Sequence, residues 1–67
     1  MTYREKIQQL IETINQLDDA AEALRDHANE VEKWHWNHLR GGCAALRADL
    51  QKLDNNLPDV RATMVID

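Results

Sequence analysis

The sequence predicts an all-α fold, a helical hairpin with one long and one short helix that dimerises into a helical bundle. Three observations carry this. Apolar residues recur at steps of three and four over most of the chain. Leu, Ala, Glu, Asp and Gln dominate, with two Gly, one Pro and no Phe. At 67 residues there is room for one small domain, residues 1–67, and such a chain buries too little surface to be more than marginal alone.

The long helix is expected over about residues 3–40. Ile7, Leu10, Ile14, Leu17, Ala21, Leu24, Ala28 and Val31 form the a/d seam of a heptad repeat. Thr2 and Glu5, three residues apart, spell a capping box just before it. Ile11 and Tyr3 widen the stripe, which argues for more than one packing neighbour. Asp19 with Glu22 has the spacing to start a new helix. The heptad phase nevertheless runs unbroken through Leu17, Ala21 and Leu24, so a single helix is expected.

Past Val31 the repeat places His35 and His38 on the seam, flanked by Trp34 and Leu39. Gly41-Gly42 then reads as the turn, because a glycine just past a helix adopts positive φ at no steric cost. A short helix follows over about residues 43–56, with Cys43, Leu46, Leu50, Leu53 and Leu57 on its apolar face. Asp54-Asn55-Asn56 and Pro58 end it. Residues 57–67 form a tail whose Val60, Met64, Val65 and Ile66 are apolar enough to dock.

Lengths set the expected interface. A helix of about 37 residues spans roughly 55 Å and one of about 13 roughly 20 Å. The short helix therefore covers only one end of the long one. Ile7, Leu10, Ile11, Ile14 and Leu17 remain uncovered and are assigned to self-association, as a homodimer. A tail running back along the helix is the alternative cover.

Composition narrows function. The net charge of −4 supplies no basic patch, so nucleic acid is not an expected partner. No signal-peptide core and no run near 20 apolar residues occurs, so no membrane partner is expected and the location is read as cytoplasmic. Cys43 is the single cysteine and forms no intramolecular disulfide. Its place opening a helix near His38 is thin support for nucleophilic catalysis, and no enzymatic role is assigned.

The run Glu32-Lys33-Trp34-His35-Trp36-Asn37-His38 is the sharpest local feature. Glu32-x-x-His35, with His38 and Cys43 nearby, has the donor types of a metal-binding helical bundle. One such motif does not make a site, and no metal or cofactor is assigned. Trp34 and Trp36 point about 200° apart on a helix. Trp34 is the nearer to the seam, and Trp36 points away from it. Tryptophan is enriched at binding hot spots, so Trp34, Trp36, Asn37 and Arg40 are the expected partner-binding residues. The acidic group Asp18, Asp19, Glu22, Asp26, Glu30 and Glu32 is first a solvated face, with nucleic-acid mimicry as the alternative. His27 reads as a boundary residue.

The stretch Leu24-Arg25-Asp26-His27-Ala28-Asn29-Glu30-Val31 locally resembles part of Rop, an antiparallel hairpin dimer that binds RNA loop pairs. The resemblance covers about eight residues and carries no residue roles. The function expected is a small protein-binding module of the kind bacteria and phages encode as short chains. It would be an inhibitor, anti-activator or adaptor that sterically occupies a partner protein's surface.

Overall fold

A computed structural model describes residues 1–66; Asp67, the last residue of the tail, lies outside them. Two helices of nearly equal length pack side by side, α1 (Tyr3–Asp26) and α2 (Glu30–Asn55), followed by a short α3 (Asp59–Ala62). The molecule measures 48 × 19 × 13 Å. Its smallest dimension is that of one helix layer.

The hairpin is as expected, but its turn is not at Gly41-Gly42. The chain reverses at His27–Asn29, so a 37-residue first arm and a 13-residue second arm become 24 and 26 residues. The physical reason is a second capping box. The Asn29 side chain accepts from the Glu32 backbone N–H at 2.9 Å, and the Glu32 carboxylate accepts from the Asn29 N–H at 3.1 Å. The turn uses no positive φ, so it needs no glycine. Gly41 and Gly42 are helical, and a Cβ at either would meet nothing within 4 Å. The Rop-like octapeptide, expected inside the first helix, contains this turn. There is no break at Asp18-Asp19.

The first capping box forms as expected. Thr2 Oγ1 accepts from the Glu5 N–H at 3.2 Å, and Glu5 Oε1 accepts from the Thr2 N–H at 3.0 Å. The Thr2 backbone N–H, and after it the Thr2 hydroxyl, hold the Glu5 carboxyl below its ordinary pKa, because a hydrogen bond donated to the carboxylate favours its charged form.

Moving the turn slips the heptad. In α1 the residues at the hairpin seam are Ile7, Ile14 and Ala21; in α2 they are Trp36, Cys43 and Leu50, with Leu57 just past its end. The phase shifts by one residue between Ala28 and Trp36, about 100° of helix rotation. Ile7, Ala21 and Cys43 are buried, while Ile14, Trp36, Leu50 and Leu57 are half-buried.

The tail neither frays nor runs along α1. It crosses the open end of the hairpin. The Tyr3 N–H donates to the Met64 carbonyl at 2.8 Å and the Ile66 N–H to the Met1 carbonyl at 2.9 Å, around an antiparallel bridge of Thr2 with Val65. Ala62 is buried there, and the Arg61 guanidinium stands 5.3 Å from the centre of the Tyr3 ring. Arg4 closes the same end on Asp54 at 2.8 Å.

Candidate functional site

The two broad faces of the hairpin differ. One is laced by polar pairs between α1 and α2. Arg40 Nε donates to Asp18 at 2.9 Å and its guanidinium reaches Glu22 at 3.7 Å. Arg25 donates to Asn37 at 3.1 Å, and Arg47 donates to Asn15 at 2.8 Å. The Asp18 carboxylate raises the pKa of Arg40.

The other face carries six leucines. Leu10, Leu17 and Leu24 stand seven apart on α1, and Leu39, Leu46 and Leu53 seven apart on α2. In each helix these positions lie about 60° from the buried seam. Because the helices are antiparallel, that rotation carries both rows to the same side. Leu39 is half-buried, and the other five are between 42% and 57% exposed. Full burial of a leucine contributes about 1.5–3 kcal/mol, so each exposed half withholds about 1 kcal/mol.

This face is the candidate site. It sets two rows of leucines side by side on a hairpin with little core of its own. Among the described residues the buried apolar side chains are Ile7, Ala21, Cys43 and Ala62, and no large side chain is fully buried.

The residues expected for self-association divide. Leu10 and Leu17 belong to the leucine face. Ile7 is buried and Ile11 and Ile14 are half-buried, because the longer second helix reaches them after the turn moves. The expectation that all five stay uncovered is corrected accordingly. The residues expected for partner binding divide as well. The phase slip exchanges the tryptophans: Trp36 falls at the seam and is half-buried, whereas Trp34 is 63% exposed. Asn37 and Arg40 are held in the polar pairs. Trp34 stacks on His38, with ring centres 5.4 Å apart, and meets His35 edge-on at 5.0 Å.

Both histidines of the metal alternative thus lie against the Trp34 ring. Glu32 caps α2 and Cys43 is buried at the seam. Among the described residues no group of three or more His, Cys, Asp or Glu side chains is gathered as a metal ion requires. The acidic residues are also partly engaged, with Asp18 and Glu22 on Arg40, Asp26 near Arg25, and Glu30 near Lys33. A hollow of about 190 Å³ bordered by Met1, Glu5, Gln8, Gln9 and Glu12 is open to solvent. It is smaller than usual ligand pockets.

From the sequence, Leu24 is expected on the heptad seam, Leu39 beside it, and Leu46 and Leu53 on the apolar face of the short helix. Their strict seven-residue spacing was the available signal that they form rows of their own. No helix is long and apolar enough to cross a membrane among the described residues. No protein-family model, curated protein or solved structure matches the chain.

Proposed function

We propose that this chain is a small protein-interaction module, an adaptor or inhibitor that acts sterically, with the leucine face as its working surface. The observation that carries this reading is the six-leucine face itself. An apolar surface of this extent on a one-layer fold is costly in water and marks an interface. Homodimerisation, expected from the sequence through the first helix, belongs to the same reading and moves to this face. Trp34, stacked on His38, is a second exposed anchor on the outer side of α2. It stays available to a further protein when the leucines are covered.

Site-specific photo-crosslinking tests the reading. A benzophenone side chain at position 46, on the leucine face, is expected to form protein adducts in cells. The same group at position 51, on the polar side of α2, is expected to form few. Equal labelling from both positions, or none from position 46, removes the leucine face as the working surface.

A further inference from the structure

The occupant of the leucine face follows from the shape and charge of the hairpin. We infer that it is a second copy of this chain, packed face to face to make a four-helix bundle. This rests on the reading of the face as an interaction surface and names its partner.

Four features point to a copy rather than to a foreign protein. The first is area. The broad side of the molecule, 48 by 19 Å at its extents, bounds the footprint at about 900 Å² per protomer, the same order as the roughly 800 Å² each partner contributes to a standard interface. The second is the fold. A single helix layer has no second layer on which to bury its apolar side, and every molecule meets that deficit whether or not a foreign partner is present. A copy supplies the missing layer wherever the protein exists.

The third is self-complementarity. Three leucines on each helix repeat every seven residues, so a rotation of 180° about an axis in the face sets one copy's leucines between the other's. The fourth is charge. The chain carries a net charge of −4, yet between its ends the leucine face presents Asp49 as its ionised side chain, beside Thr13, Ala20 and Gly42. The carboxylates and guanidinium groups pair on the opposite side. Two copies therefore meet without stacking like charges.

Gly42 fits this arrangement. It lies between Leu39 and Leu46 along the face, helical and with open space above it. Glycine inside a helix lowers helix propensity, and nothing within one hairpin calls for it there. Against a second copy, a missing side chain lets the layers approach.

Light scattering on the full chain at tens of micromolar is the test, with circular dichroism as the check on folding. The expected mass is twice the 7.8 kDa of one chain. Leu17→Glu with Leu46→Glu is expected to keep the helical spectrum and raise the dimer dissociation constant at least ~100-fold, since it buries opposed carboxylates. If that pair fails to fold, Gly42→Arg decides. It should break the dimer, while Gly41→Arg, one residue round the helix and off the face, should not. A monomeric wild-type chain overturns the inference. So does a dimer that survives the glutamates or responds equally to both arginines. A monomer that still forms adducts with other proteins from position 46 overturns only the second copy, whereas a monomer that forms none removes the interaction reading too.

Discussion

The leucine face and the polar face are built from the same two helices and the same heptads, and they lie on opposite sides of one seam. On the polar face, Asp18, Arg25, Arg40 and Arg47 find partners across the hairpin, so that face is complete within one chain. On the leucine face, five of six leucines remain about half exposed, so that face is unfinished. Local pairing of polar groups closes a surface at short range. Apolar side chains on a single layer have nothing beneath or above them to close against. The seam between the faces is too thin to substitute for a core.

Truncations at the seam and on the face should separate these regions most strongly. Ile7→Ala removes a buried side chain and is expected to cost about 2–5 kcal/mol by urea denaturation. Leu10→Ala, three residues on and half exposed, is expected to cost about 1 kcal/mol at dilutions where the chain is monomeric. Its cost should grow with protein concentration, because oligomerisation adds stability by mass action. A cost for Leu10→Ala that is as large as that for Ile7→Ala and independent of concentration would erase the distinction between seam and face.

Both faces depend on the turn that sets the register of α2 against α1. Asn29→Ala removes the side chain that caps α2 and is expected to cost about 1 kcal/mol, while Asn55→Ala, at the last turn of α2, should cost little. The polar face should respond less. Arg40→Gln loses the contacts to Asp18 and Glu22, groups partly open to water. The expected fall in Tm is smaller than for Asn29→Ala and shrinks toward 1 M salt, where the screening length is about 3 Å. A fall unchanged by salt would mean that Arg40 acts through packing of its stem.

Much of this arrangement is written in the sequence. The helical class, the Thr2–Glu5 box and the seam positions Ile7, Ile14 and Ala21 follow from spacing and side-chain chemistry. The turn does not, because two cues compete for it. Gly41-Gly42 is the stronger composition signal, whereas Asn29-x-x-Glu32 is buried in an unbroken heptad whose next members, Ala28 and Val31, keep its phase. Tertiary packing across two arms of equal length favours the second cue, and helical glycine costs only about 1 kcal/mol against alanine. One misplaced turn then propagates. It rotates residues 29–40 by one position against the expected heptad, which exchanges Trp34 for Trp36 and moves the histidines off the seam.

The smallest expected effect lies at the capping box of α1, on neither broad face, and it concerns pH. Glu5 is held below its ordinary pKa by the Thr2 N–H and hydroxyl. A carboxyl with a lower pKa folded than unfolded binds fewer protons in the native state. Its contribution is therefore present above the unfolded pKa and is lost as pH falls through the folded value. Stability of the wild-type chain should decline over that acidic interval more steeply than stability of Glu5→Gln, which has no proton to take up there. The two profiles should run parallel near neutral pH. Because the tail pairs with residues 1–3 beside this box, amide exchange at Tyr3 and Ile66 should quicken over the same interval in the wild type and not in Glu5→Gln. If exchange at these two amides is indifferent to pH beyond its intrinsic chemistry, the box and the tail are independent, and the open end of the hairpin is held by Arg4–Asp54 and Ala62 instead.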